Sequence, residues 1–302
     1  PNPVLCFQTR SGITENVHRG VICCVEALDD TKYRIVHQAG NIDQLFFPRS
    51  AVKYVQVLPL LESGCVEHFR LTPEEIAVMC ASHNATPDHV RVVRSILSKA
   101  GVDESDLNCG GHTPGCEVSA WNYVREGVST PFRDHIYNNC SGKHAGFLAL
   151  CKYKGYPIQG YLEHDHPVQV LVRESISYIF CIPLTELRMV RFGCYNFLTA
   201  VLFLHAALGY ARLCHSAVHK KESLRLAITT MMSALAECSS MVYGTQGFDS
   251  VLMKQFAGKI IGKRGAAGVF LSGIVGHAVG VAVKIDDGVM TPQYNVTMQM
   301  LQ

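Results

Sequence analysis

Three short groupings in this chain have residue types and spacings suited to chemistry on a carbonyl: Ser50-Ala51-Val52-Lys53, Ser82-His83-Asn84 and Lys263-Arg264-Gly265. A hydroxyl and an amine three residues apart at a helix start lie about one turn apart on the same face, which suits a nucleophile and its base. A lysine near its ordinary pKa of about 10.4 is protonated at neutral pH, so Lys53 needs burial or cationic neighbours to act as base on Ser50. The helix start also turns backbone N–H groups and the positive end of a dipole toward an oxyanion. Composition alone yields about one copy of each grouping by chance, so longer strings must carry the identification.

Such strings are present. They are Glu15-Asn-Val-His-Arg-Gly20, Phe47-Pro-Arg-Ser-Ala-Val-Lys53, Leu58-Pro-Leu-Leu-Glu-Ser-Gly64, Cys80-Ala-Ser-His83, Asn138-Asn-Cys-Ser-Gly-Lys-His-Ala-Gly-Phe147 and Asp165-His-Pro-Val-Gln169. Gly244-Thr245, Phe248-Asp249, and Lys263 with Gly265-Ala266 and Gly268-Val269 complete the set. On these the chain resembles the asparaginase II family, the Rhizobium-type zinc-containing L-asparaginases, over roughly residues 4 to 287. The Ser-x-Asn and Lys-x-Gly groupings also resemble elements of penicillin-recognising serine enzymes.

The resemblance implies hydrolysis of L-asparagine to L-aspartate and ammonia by a serine nucleophile. Ser50 with Lys53 matches one Ser-Lys tandem of the family and Ser82 with Lys263 the other, and the sequence leaves open which serine attacks. Arg49 and His144 match residues lining the substrate pocket, and Asn84 and Gly265 are expected beside the substrate as the third members of their groupings. Cys140, Lys143 and Cys194 match zinc ligands, the lysine having to be neutral to offer a lone pair. Read without the resemblance, Cys140 and Cys194 are soft donors that suit zinc but form no zinc motif by themselves. The family has an aspartate two residues before the second cysteine ligand, where this chain has Phe192, and an acidic residue where it has Ala267. Loss of a carboxylate from the ligand shell leaves as one alternative a weakly active or non-catalytic zinc- or amino-acid-binding homologue, and the scaffold leaves another, a different serine amidase of the β-lactamase-like class.

The elements that must position these residues read as strands, then helices, then strands. Val4 to Gln8, Gly20 to Ala27 and Lys32 to Gln38 are rich in Val, Ile and Tyr and bounded by turn residues. Helical signals begin after Pro48. Thr72-Pro73 and Thr86-Pro87 pair an N-cap with proline at the first helical position, and Asp165-His166-Pro167 reads as a helix start rather than a metal site. Arg188 to Gly193 and Asn196 to Leu213 extend the helical zone, with Phe197 to Ala211 as a buried core helix, and His205, His215 and His219 pack or face solvent. Lys259 to Gly262, Ala267 to Ser272 and Gly280 to Ile285 return to strands, and Thr291 to Gln302 shows no clear element. The expected fold class is mixed α/β, similar to serine β-lactamases and glutaminases. A single domain has its sheet from about residues 1–48 and 242–302 and a helical part from about 49–241.

Composition bounds the partners. With 27 Lys+Arg against 25 Asp+Glu and a net charge of +2, neither nucleic acid nor an anionic membrane is expected. The most apolar run is too short to span a bilayer, which takes about 20 residues. Thirteen cysteines, an odd number, without a basic-then-apolar leader, read as reduced thiols of a cytoplasmic protein. The resemblance implies a homodimer.

Overall fold

The computed structural model describes residues 1–128, 133–192 and 196–302. In chain order the strands are β1 (Val4–Arg10), β2 (Ile13–Ala27), β3 (Tyr33–Ala39), β4 (Leu45–Phe46), β5 (Arg188–Phe192), β6 (Asn196–Leu202), β7 (Ile260–Gly265), β8 (Val269–Ile274) and β9 (Val279–Ile285). Helices α1 (Lys53–Gln56), α2 (Leu58–Glu62), α3 (Cys65–Phe69), α4 (Pro73–Met79), α5 (Pro87–Ala100), α6 (Glu117–Arg125), α7 (Ser141–Lys154) and α8 (Pro167–Ile179) lie between β4 and β5. Helices α9 (Phe203–Cys214), α10 (Glu222–Glu237) and α11 (Phe248–Gln255) precede β7, and α12 (Met290–Met300) follows β9.

The main sheet has the order β1-β2-β9-β8-β7, with β3 paired to β2. Every pairing in it is antiparallel. Strand β2 is long enough for two tasks: its first half forms a hairpin with β1, and its second half pairs with both β3 and β9. Strands from the two ends of the sequence therefore share one sheet around a helical insertion, as the order of elements predicts. Side chains alternate across a strand. Val21, Cys23 and Val25 accordingly join the main core, and Ile22 and Cys24 join a second core with Val281, Val283, Ile285 and Val296 of α12. Burial on both faces explains the unbroken apolar run Val21 to Val25, which alternation alone does not predict.

Two expectations are corrected. Residues 196–202 form a strand antiparallel to Arg188–Phe192, and helix begins only at Phe203. A run of apolar residues does not distinguish a buried strand from a buried helix by periodicity, and here it holds one of each. The tail Thr291 to Gln302 is mostly α12, a helix with no charged residue and several β-branched ones, so its pattern is weak.

The helix starts are as read. Thr72 with Glu75 and Thr86 with His89 form capping boxes, and His166 accepts from Val168 N at the start of α8. Helix α7 crosses α4 closely because Gly142 has no side chain: a Cβ there would lie 2.3 Å from Val78 O. That crossing brings the start of α7 to the end of α4, where the loop carrying Ser82 begins.

Candidate active site

The turn that holds Ser50 is pinned from two sides. Tyr210 of α9 donates to Ala51 O at 2.8 Å, and Tyr54 of α1 donates to Gly262 O of β7 at 2.8 Å. Strand β7 is an edge of the sheet, and Gly265 lets it reach the turn, since a Cβ at Gly265 would sit 2.3 Å from Pro48 O. Gly265 thus serves close approach of two backbones. Arg49, one residue before the serine, has φ of 56°, a left-handed conformation that a residue with a Cβ seldom adopts. Ala85 and Ala267, at 54° and 61°, share that conformation beside the other two groupings. Ser50 and Arg49 are half-buried.

Lys53 is buried and its amine is held by three oxygens: Ala81 O at 2.5 Å, Ser82 Oγ at 3.1 Å and Asn139 O at 3.3 Å. Its serine contact is thus Ser82, which comes from the loop after α4 and is fixed by its own N–H donating to Val242 O at 3.0 Å. Lys263 is fully buried on β7 and reaches Asp249 Oδ2 at 3.3 Å. Burial is the main cause that brings the Lys263 amine down to about 8, with Asp249 opposing and Lys53 and Arg264 adding to the drop. Asp249 itself is held below the usual carboxylate range: burial would raise it, but Lys263 and Arg264 outweigh burial. Asp249 carries no sequence signal beyond its place in Phe248-Asp249, and sequence reasoning gave it no role.

Cys140 precedes α7, and its thiol donates to Asn139 Oδ1 at 3.1 Å. Burial would raise this thiol, but Lys53, then Lys143, then Lys263 hold it below its ordinary range. Lys143 is buried in the first turn of α7. Cys194 lies outside the described residues, and Phe192 ends β5. Among the described residues, no group of three His, Cys, Asp or Glu side chains is arranged to hold a metal. The two described members of the expected zinc set fit the ion in donor chemistry, since a thiol held toward its thiolate beside a buried amine offers one soft and one nitrogen donor.

The remaining predicted residues divide. Asn84 faces Gly244 and Gly115, where added Cβ atoms would meet its side chain, and among the described residues its buried Oδ1 has no hydrogen-bond partner. His144 lies in α7 with Nδ1 2.7 Å from the Tyr161 hydroxyl, and burial, then Lys143 and Lys53, hold it well below its ordinary range, hence neutral. The Tyr161 hydroxyl also accepts from Asn108 N at 2.9 Å. His83 is neutral for the same reason of burial, and its Nδ1 accepts from Ala85 N while its Nε2 meets Ser141 Oγ at 2.9 Å. Because Ser141 donates to Ile136 O, the proton on His83 is at Nε2. A cleft of about 580 Å³ lined by Leu58, Glu62, Tyr178 and Lys220 contains none of these residues.

Lys53, Ser82, Lys263, Asp249 and Cys140 thus come from five separate segments to one buried, amine-rich region beside an edge strand, and Ser50 lies half-buried on the turn three residues before Lys53. The arrangement gathers the Ser82 hydroxyl, two buried lysine amines and the Asp249 carboxylate, with the Lys263 amine brought down to about 8.

Comparison with curated protein sequences gives no match. Among solved structures, Mglu in its glutamate form is similar at 16% identity and a TM-score of 0.43, covering 98% of this chain, which spans 64% of that one. D-alanine carboxypeptidase AmpC from Burkholderia cenocepacia is similar at 12% identity and a TM-score of 0.43, covering 92% of this chain and 91% of that one. The pattern of the L-asparaginase II family matches residues 7–302, nearly the whole sequence, and by that match the chain belongs to the L-asparaginase II family.

Proposed function

We propose that this protein hydrolyses the side-chain amide of L-asparagine to L-aspartate and ammonia through an acyl-serine. Family membership supports an amidohydrolase, and the observation that carries the mechanism is the buried Lys53 amine held between Ala81 O, Asn139 O and Ser82 Oγ. In this reading Ser50, the more exposed serine on its strained turn, attacks the carboxamide carbon while Lys53 takes its proton. The Ser82 hydroxyl passes a proton from the lysine pair to the departing amine, which leaves as ammonia. Water then attacks the acyl carbon by the reverse proton path, releasing aspartate and restoring Ser50. The buried cations grip the α-carboxylate, and Asn84 Oδ1, lacking a partner among the described residues, accepts from a substrate amine.

Zinc would be held by Cys140, Lys143 and Cys194. When bound it supplies a localised positive charge for orienting the substrate's α-amino and α-carboxylate groups. Phe192, in place of a carboxylate, is the reason to measure how firmly it is held.

A second reading makes Ser82 the nucleophile, and it is favoured by the direct Lys53–Ser82 hydrogen bond. The experiment is ammonia release from L-asparagine by the purified protein beside Ser50→Ala and Ser82→Ala, with acyl-enzyme trapped and located by peptide mass. Acylation of Ser50, surviving in Ser82→Ala, supports the first reading. Acylation of Ser82, surviving in Ser50→Ala, selects the second. Thermal stabilisation by asparagine with no ammonia release from the unaltered protein would sink both in favour of a binding protein.

A further inference from the structure

Lys263 and Arg264 are consecutive on β7, so their side chains leave opposite faces of the strand, yet both end on one carboxylate. Asp249, second residue of α11 and fully buried, accepts from Lys263 Nζ at 3.3 Å and from Arg264 N at 3.0 Å through Oδ2. Its Oδ1 accepts from Arg264 Nε at 2.9 Å. Backbone groups of alternate residues point the same way along a strand, so Arg264 N–H and Gly262 C=O share the edge that does not face β8. Tyr54 satisfies the second of these and Asp249 the first. The carboxylate therefore closes the open edge of β7 and ties down both of its cations at once. The Arg264 guanidinium is itself stacked 3.6 Å from the Tyr243 ring and 5.5 Å from that of Tyr294, which keeps the anchor rigid on its outer side.

We propose that Asp249 is a positioning residue for Lys263, fixing the amine against β7 and retaining its proton within the site; the catalytic meaning of this rests on the amidohydrolase reading above. The groups around Lys263 are Lys53 from α1, Cys140 from the segment before α7, Cys80 from the end of α4 and Arg264 from its own strand. Tyr54 and Tyr210 face Asp249, and both phenols are pushed well above their ordinary range by burial first, so they stay neutral. Asp249 is the carboxylate set against these cations. Without it Lys53 and Arg264 repel a charged Lys263, and its proton is lost more readily.

The test is Asp249→Asn, which keeps the shape and an acceptor for Arg264 while removing the charge. In protein labelled with 13C at lysine Cε, the Lys263 resonance is identified by its loss in Lys263→Arg. Its titration midpoint is expected to fall by roughly 1 to 3 pH units in Asp249→Asn. The alkaline limb of the ammonia-release profile falls with it. A midpoint that does not move in a folded variant overturns the proposal, and so does a moved midpoint with an unmoved limb. If the unaltered protein releases no ammonia, the functional reading fails while the midpoint still decides whether Asp249 holds the proton. Should Asp249→Asn not fold, Lys263→Gln gives the reciprocal measurement. The Asp249 carboxyl carbon must then titrate at higher pH than in the unaltered protein, and an unchanged value overturns the proposal.

Discussion

The Lys53 amine lies 3.1 Å from Ser82 Oγ, so the base of one Ser-Lys grouping is bonded to the serine of the other. The bond thus crosses the two tandems expected from the sequence, and Lys263 is held by Asp249. Two further contacts to carbonyls, Ala81 O and Asn139 O, fix the orientation of the amine, which a flexible surface lysine lacks. In the proposed mechanism a proton arriving at Lys53 would leave through Ser82, to which the amine is bonded.

Replacing that amine tests the network directly. Lys53→Met, similar in length and suited to a buried position, is expected to lower kcat for asparagine by about 10²- to 10⁴-fold, the usual worth of a positioned acid or base. The variant should keep the circular dichroism of the unaltered protein. Activity within a few-fold of normal would remove Lys53 from the mechanism.

The pH dependence follows from Lys263, whose amine is brought to about 8 chiefly by burial. Below that pH the amine is protonated and can supply a proton to the amide nitrogen as its bond to carbon breaks, so that it leaves as ammonia. Above it the amine is neutral and cannot. The rate is expected to descend as pH rises through about 8, and the limb should shift or vanish in Lys263→Arg, whose guanidinium does not titrate there. A profile flat from pH 7 to 9, or one rising through that range, would exclude this role.

Gly265→Ala places a methyl group 2.3 Å from Pro48 O, with backbone on both sides of the clash. Strand β7 must move off the Ser50 turn. We expect a loss of about 1 to 3 kcal/mol in urea unfolding, the range for overpacked sites, together with a fall in kcat. Unchanged stability and rate would mean that the approach of β7 to the turn is looser than the structure shows.

Zinc content gives the fourth check. Cys140→Ser should reduce bound zinc per chain, measured by elemental analysis. Chelation of the unaltered protein should raise KM for asparagine more than it lowers kcat, since the ion's proposed role is orientation. Equal kinetics with and without metal would remove zinc from the proposal. The variant Phe192→Asp is expected to bind zinc more firmly by restoring a carboxylate to the set.

What could be read from the sequence was what is local. The capping boxes at Thr72 and Thr86 are set within four residues, and the sheet shared by both ends of the sequence follows from the order of strands and helices. The apolar stretch around Phe203 was not readable, because burial on all sides erases the period that separates strand from helix. The partner of Lys53 was equally hidden: Ser82 lies 29 residues away and is placed by its own N–H donating to Val242 O, a contact between distant segments. Asp249 is the clearest omission. A lone acidic residue near a helix start ordinarily reads as favourable to the helix dipole, and only the arrival of β7 turns it into the anchor of two cations.

The pairing of Gly20 with Ile285 and Glu26 with Val279 has a consequence for the order of events in the life of the molecule. Contacts between such distant segments form slowly, because a large loop must close before any stabilisation is gained. A growing polypeptide displays Ser50, Lys53 and Ser82 early, yet β7 has no seat until β8 and β9 have left the ribosome and β9 has docked beside β2. The region that joins Lys53, Ser82 and Lys263 is then completed late, after its first residues have long been made.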